Sequence, residues 1–434
     1  MTHQHAPAPP GGTPRIHGLD IARAVAIIGM MGAHLGPWQG RPALADPSTW
    51  PAVVNGYPSV LFAVLAGVTI GIIARRGVAE GGVELLRSRM RLGARAVILI
   101  AMGLVLASLQ DDVLVVLVPM GAMFLVALPL AGARTGTVAV VAAVLAVVGP
   151  LLMAPLRVYP SLVTNATVRD SIVFTYPLTA WAFYGLVGLL IYRLVLRRPR
   201  LWAWLAAGGT AVALAAAFAW SALVPVFGVG TGGADIDDAW SDGMGGVDWS
   251  AGALRVDATM PEPAGTPDAV GGVGGDASMP VLPGMPDPPA PASTDMGTGE
   301  RLLGAFVDGS AHAAGLLDVV GAAAASLAVV ALLLMVGRTR FGAAALYPLR
   351  MMGSMSLTIY VAHVVSFAVI DLAGVFFPAV AAVEPETWLV VSIIAALVFA
   401  VAWKWRHRRG PLEEAMYRAT DRAARIDVPG AGAS

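Results

Sequence analysis

Three ionisable residues interrupt an apolar stretch near the start of the chain. They are Asp20, Arg23 and His34 in RIHGLDIARAVAIIGMMGAHLGP at 15–37, with ten residues between Arg23 and His34. Ionisable groups inside such a stretch are costly in hydrocarbon and mark pairing or function. On a helix, eleven rises set Arg23 and His34 roughly 16 Å apart. One element would then hold a guanidinium near one end and an imidazole near the other. An imidazole titrates near neutrality, so it can deprotonate a hydroxyl or amine, or carry an acyl group itself. A guanidinium suits a phosphate or carboxylate contact. Asp20 precedes Arg23 by three residues on one helix face, so these two also read as an anchoring ion pair.

A second set lies late in the chain, in SMSLTIYVAHVVSFAVID. His363 falls well inside an apolar run, with Tyr360 and Ser356 one and two turns below it and Asp371 two turns beyond. His312 and Asp318 flank the start of another apolar run. His34 and His363 are the catalytic candidates. Asp371 or Asp318 would orient an imidazole and stabilise its charged form; the sequence does not choose between them. His312, Asp318 and Tyr360 are candidates on the substrate side. The plainer readings are a helix-packing hydrogen bond for His363 and a loop histidine near the interface for His312. Arg87, Arg89, Arg91 and Arg95 read as a short cationic connection able to hold the phosphates of a cytosolic ligand, or as an ordinary topology signal.

These residues need positioning elements, and composition says which kind. The 434 residues are 57% hydrophobic and only 13% charged, against about 25% charged in soluble domains. Net charge is zero, so bulk attraction to nucleic acid is not indicated. The absence of Cys excludes disulfides, thiolate metal sites and a Cys nucleophile. No metal is expected, and no phosphate-loop signature adjoins a strand.

The expected fold is all-α, a polytopic membrane bundle of about ten spans. The spans are read at 19–37, 57–74, 93–109, 113–132, 136–156, 177–196, 201–224, 316–336, 351–374 and 388–405. Pro119 and Gly121 invite a kink in the fourth. Residues 1–18 read as a disordered tail, with His3 and His5 more simply flexible than metal-binding. Residues 19–227 carry seven spans and 309–405 carry three. Between them, 228–308 is Gly- and Pro-rich and reads as a disordered loop. Its Asp235, Asp237, Asp238 and Asp242 read as solvated acids. Residues 406–434 form a basic tail. With the N-terminus inside, Arg75, Arg76, Arg87, Arg89, Arg91, Arg95, Arg134, Arg197, Arg198, Arg200, Arg338, Arg340 and Lys404 fall on or beside cytoplasmic connections. That is a positive-inside pattern, and an even span count places both termini in the cytoplasm.

The segment RIHGLDIARAVAIIGMMGAH resembles the first helix of the transmembrane acyltransferase superfamily, which includes the acyltransferase-3 and heparan-α-glucosaminide N-acetyltransferase types. YPSVLFAVLAGVTIGI at 57–72 resembles its second-helix motif. TYPLTAWAFYGLVGLLIYRL at 175–194, SAHAAGLLDVVGAAAASLAVVALLL at 310–334, PLRMMGSMSLTIYVAHVV at 348–365 and WKWRHRRGPLEEAM at 403–416 are most similar to a bacterial branch, the DUF418 family. The resemblance implies a multi-pass protein of the bacterial cytoplasmic membrane. It would move an acyl group, with acetyl-CoA as expected donor, from cytosolic acyl-CoA to an extracytoplasmic sugar, glycan or glycolipid. By position, Arg23 would serve the donor side and His34 the transfer. Two departures stand out: Ala24 replaces a common Gly, and the 38–56 connection holds no His. The partners implied are membrane lipids, acyl-CoA and a sugar acceptor. A transporter or flippase for a lipid or sugar is the alternative, and a non-enzymatic scaffold a third reading.

Overall fold

The computed structural model describes residues 16–38, 46–109, 113–165, 175–227 and 297–425. The described residues form helices and contain no β-strand. In chain order the helices are α1 (His17–Leu35), α2 (Tyr57–Glu80), α3 (Gly82–Ala107), α4 (Leu117–Ala127), α5 (Thr135–Val158), α6 (Leu178–Leu190) and α7 (Trp202–Phe227). They continue with α8 (Thr298–Val307), α9 (Leu316–Arg338), α10 (Arg340–Ala345), α11 (Tyr347–Gly353), α12 (Ser356–Phe376), α13 (Pro378–Ala381), α14 (Pro385–Arg406) and α15 (Pro411–Ala423). Among the described residues, nine helices are long and apolar enough to cross a membrane. The chain is an all-α, multi-pass bundle, as its composition implies.

Helices α1, α2 and α6 are the most enclosed of the long helices, and the others pack around them. Lipid tails are as apolar as the side chains, so association rests on close backbone approach. At the α2–α6 crossing, a Cβ on Gly188 would run into the Val64 carbonyl, and one on Gly67 into the Gly185 carbonyl. Gly353, at the end of α11, meets the Asp20 carbonyl of α1 in the same way.

Four expectations change. The span read at 113–132 is an 11-residue helix, α4, followed by a 3-10 turn at Pro129–Gly132. Residues 113–116 are not helical. Pro119 therefore stands in the first turn of α4, where its missing N–H costs nothing, and not at a mid-helix kink. The span read at 351–374 is divided at Ser354 and Met355 into α11 and α12. Residues 298–307, placed in the unstructured loop, form α8, and the basic tail contains α15. Both are strongly amphipathic, and a search for apolar runs passes over such helices. Finally, α3 begins at Gly82, directly after α2, because Gly81 and Gly82 supply the positive φ values of a tight reversal (69° and 47°). Arg87, Arg89, Arg91 and Arg95 thus ride on a helix and not on a connection. Residues 1–15, 228–296 and 426–434, with His3, His5 and the four loop aspartates among them, lie outside the described residues.

The start of α1 is tied to α11 at one end of the bundle. His17 of α1 lies 2.9 Å from the Arg350 guanidinium. Near the same end, α15 fastens to the start of α12: Glu413 accepts from the backbone N–H of Leu357 at 2.7 Å and of Thr358 at 3.2 Å, and from the Thr358 hydroxyl at 2.6 Å. The helix has no side-chain cap of its own, so a carboxylate from another helix satisfies its orphan donors and faces the positive end of its dipole.

Candidate functional site

Helices α1 and α12 run side by side in the same direction. Gly353, at the end of α11, lies against the Asp20 carbonyl, and beyond that crossing α12 brings His363 to His34 of α1. His34 Nδ1 and His363 Nε2 are 3.2 Å apart. The rings lie within 6° of parallel, with centroids 5.5 Å apart, so the contact is edge to edge and in plane. One nitrogen must carry the proton and the other its lone pair. Phe367, one turn beyond His363, presents itself edge-on to both rings. His363 is 4% exposed and its Nδ1 is buried with no partner among the described residues. His34 is half-buried. Its Nε2 makes no hydrogen bond among the described residues.

Neither imidazole has a carboxylate partner among the described residues. Asp371 is exposed, and eight residues along α12 place it about 12 Å beyond His363. The expected orienting role does not fall to it. Tyr360 is 1% exposed, and its hydroxyl accepts from the Val116 backbone N–H at 3.0 Å. It serves the unwound 113–116 segment. The Tyr176 hydroxyl donates to the Leu114 carbonyl of that segment at 3.1 Å. Non-helical backbone at membrane depth needs internal partners of this kind, and two tyrosines supply them.

Toward the other end of α1, Arg23 pairs with Asp20 at 3.1 Å and donates to the Thr69 hydroxyl at 3.2 Å. It thereby ties α1 to α2. Arg95 lies within electrostatic reach of Arg23 and of Glu413, with its guanidinium 5.6 Å from the Phe124 ring centre. Its Nε is buried without a partner among the described residues. The other three arginines point elsewhere. Arg87 pairs with Glu84, Arg89 reaches the Pro129 carbonyl at 3.5 Å, and Arg91 pairs with Asp421 of α15 at 3.4 Å. Arg87, Arg91 and Arg95 follow one another at four-residue spacing on one face and Arg89 lies about 200° away, but each is engaged by a different partner, so the four do not converge on one ligand.

A second constellation surrounds His312 and Asp318. The loop 308–315 is drawn into a tight coil: Asp308 accepts from Ser310 N–H at 2.7 Å, and its backbone carbonyl accepts from Asp318 N–H at 3.2 Å. His312 and Ala314 both hold left-handed φ values, 63° and 52°, which are sparsely populated for residues other than Gly, Asn and Asp. Arg157, 4% exposed, donates to the His312 carbonyl. Asp318 accepts from the Ala314 N–H at 2.9 Å through one oxygen. Burial and the Arg157 guanidinium push the His312 imidazole down to about 4, although it is within hydrogen-bond reach of the Thr175 backbone. It is therefore neutral at pH 7. The Tyr176 ring stands edge-on to His312. Tyr57, Trp181, Tyr184, His312 and Asp318 line a cleft of about 20 Å³, room for about one water.

Sequence reading singled out His34, His363 and Arg23, and of these the structure brings the two histidines together. It missed Arg157, Asp308, Glu413 and the four aromatic residues around His312. Asp308 was hidden by its place next to the Gly- and Pro-rich stretch. Tyr176, Trp181 and Tyr184 lay in a quoted motif, but aromatic residues in a span carry no chemical signal without a neighbour.

Residues 300–423 match the family model described as a protein of unknown function, DUF418. The matched part includes α9 to α12, α14, α15, His312, Asp318, Tyr360, His363 and Glu413. No curated protein and no solved structure matches the chain.

Proposed function

We propose that this protein is a membrane-embedded acyltransferase of the bacterial cytoplasmic membrane. It would move an acyl group, with acetyl-CoA as the donor, from the cytosolic side to an extracytoplasmic sugar, glycan or glycolipid. The observation that carries this reading is the His34–His363 contact, on parallel helices, with Arg23 roughly 16 Å away along α1. Arg23, with Arg95 beside it, would meet the donor's anionic end from the cytoplasm. Nε2 of His34 would remove the proton from the acceptor hydroxyl or amine, or accept the acyl group before passing it on. The resemblance of α1 to the transmembrane acyltransferase superfamily points to the same chemistry.

The test is incubation of the purified protein with acetyl-CoA labelled in the acetyl group, followed by a search for label on the protein, a sugar or a lipid. Label transferred by the parent protein and lost in His34→Ala supports the reading. Failure of the parent to bind any acyl-CoA overturns it.

One observation favours a second reading, a lipid or sugar transporter. Residues 113–116 are unwound and clamped by Tyr176 and Tyr360, and broken helices are common at transporter sites. Transport into vesicles without consumption of acyl-CoA would select it.

A further inference from the structure

Charge is unevenly divided along this chain, although its net charge is zero. Residues 171–234 and 319–370 contain no Asp or Glu, yet together they hold seven arginines. The first stretch carries α6 and α7, and the second carries most of α9, all of α10 and α11, and much of α12. Helices α7 and α9 pack antiparallel. A Cβ on Gly209 would meet the Ala324 carbonyl and the Ala328 backbone, and one on Gly321 would meet Ala216. Continued along both helices, that pairing sets the start of α7 level with the end of α9. Five of the seven arginines then gather at one end of the pair. Arg197, Arg198 and Arg200 precede α7, while Arg338 ends α9 and Arg340 opens α10.

We propose that this end of the α7–α9 pair is a docking surface for an anionic phospholipid, whose headgroup phosphate diester carries no ammonium of its own. Three features carry this. The first is unspent charge. All five arginines are exposed, and none has a carboxylate partner or a side-chain hydrogen bond among the described residues. The other two are engaged: Arg193 donates to the carbonyls of Leu130, Ala131 and Ala133, and Arg350 to the Ala343 carbonyl. Elsewhere Arg23, Arg91 and Arg409 each have an acid of their own.

The second feature is the layering. Trp204, in the first turn of α7, is 78% exposed, and Phe341 on α10 is 84% exposed. Helix α10 turns off the end of α9 at Thr339, whose hydroxyl accepts from the Gly342 N–H at 2.9 Å. Aromatic rings of this kind belong at the boundary between headgroups and acyl chains. Further along the pair, Leu332 and Leu214 are exposed. Cations, then aromatic rings, then aliphatic side chains follow the order of a phospholipid from headgroup to tails.

The third feature is selection. A zwitterionic headgroup brings an ammonium, and this surface has no carboxylate to receive it. A free phosphate matches the charge but leaves the aromatic and aliphatic layers uncovered. A lipid with a net negative headgroup satisfies all three layers. The surface shares no residue with the sites assigned to donor or acceptor, so the inference stands apart from the acyl-transfer reading.

The chain has no Cys, so Ala344→Cys, exposed on α10, gives a single fluorescent reporter in the full chain. Val226→Cys, exposed at the opposite end of α7, is the control position. Each labelled protein would be placed in phosphatidylcholine nanodiscs containing a small fraction of tail-brominated phosphatidylglycerol or tail-brominated phosphatidylcholine, and quenching compared. At Ala344→Cys the phosphatidylglycerol should quench more strongly, and the excess should shrink as salt is raised. At Val226→Cys the two lipids should quench equally. An arginine near an anionic surface is worth roughly fivefold in affinity, so Arg198→Gln with Arg340→Gln should abolish the preference at Ala344→Cys. If the double variant is not monodisperse, the single variants are read instead, each with a reduced preference. Equal quenching by both lipids at Ala344→Cys, a preference unchanged by the arginine substitutions, or the same preference at Val226→Cys overturns the proposal. Loss of the preference in excess inorganic phosphate at constant ionic strength also overturns it, and would assign the surface to free phosphate.

Discussion

His34 on α1 and His363 on α12 share an in-plane N···N contact of 3.2 Å although 329 residues separate them in the chain. Gly353 lets the α11–α12 segment approach the Asp20 carbonyl closely, and beyond that crossing α1 and α12 both lead to the histidines.

If the pair acts as one unit, its removal should be non-additive. His34→Ala and His363→Ala should each lower acetyl transfer by roughly 10²–10⁴-fold, the usual worth of a positioned general base. The double variant should be little worse than the weaker single. Binding of acetyl-CoA should stay near the parent value in all three. Arg23→Ala should instead weaken donor binding. Because Arg23 also holds Asp20 and Thr69, Arg23→Lys serves as the control for packing. Turnover and equilibrium binding on monodisperse protein check this, and multiplicative losses in the double variant would mean the histidines act separately.

Glu413 should matter through α12. Glu413→Ala removes three hydrogen bonds at the start of that helix and should cost about 1.5–3 kcal/mol, as expected for bonds to a charged group. Glu413→Gln keeps an acceptor oxygen and should cost less. Thermal unfolding in a single detergent would rank the three proteins, and equal midpoints for Ala and parent would show that α15 does not hold α12.

The α2–α6 crossing should not tolerate a side chain. Gly188→Val places atoms against the Val64 carbonyl and should lose at least the roughly 1–3 kcal/mol typical of overpacking. Gly208→Val on α7 is the matched control, since a Cβ there meets nothing within 4 Å. Size-exclusion profiles of the two variants should differ, with only Gly188→Val aggregating.

His312 should make stability depend on pH. Its imidazole is held down to about 4 in the folded protein, against about 6.5 unfolded. The neutral form is favoured by folding, so the stabilisation is complete above pH 6.5. Between pH 6.5 and 4 the unfolded chain binds the extra proton, and stability falls as pH falls. Unfolding midpoints measured across this window should drop in the parent, and the drop should be smaller in His312→Gln. Parallel curves would place the pH dependence elsewhere.

The sequence by itself determined the class of fold. Apolar runs of span length leave a chain no other stable form in a bilayer, because every backbone group must be paired within it. It also determined which ionisable residues stand out, since an Arg or His inside such a run is visible from its neighbours alone. It did not determine which of them meet. The contact between His34 and His363 depends on helix direction and packing, including close approach at a glycine whose role appears only when the opposing carbonyl is known. The same holds for Glu413. Its carboxylate looks like part of a solvated tail until α15 is placed over the bare start of α12. Asp371 and Asp318 were equal candidates by spacing. Only the tertiary structure separated them, leaving Asp371 exposed along α12 and setting Asp318 in a cleft with His312. Amphipathic α8 and α15 escaped notice because half of each helix is polar, and their apolar faces have meaning only against the bundle they cover.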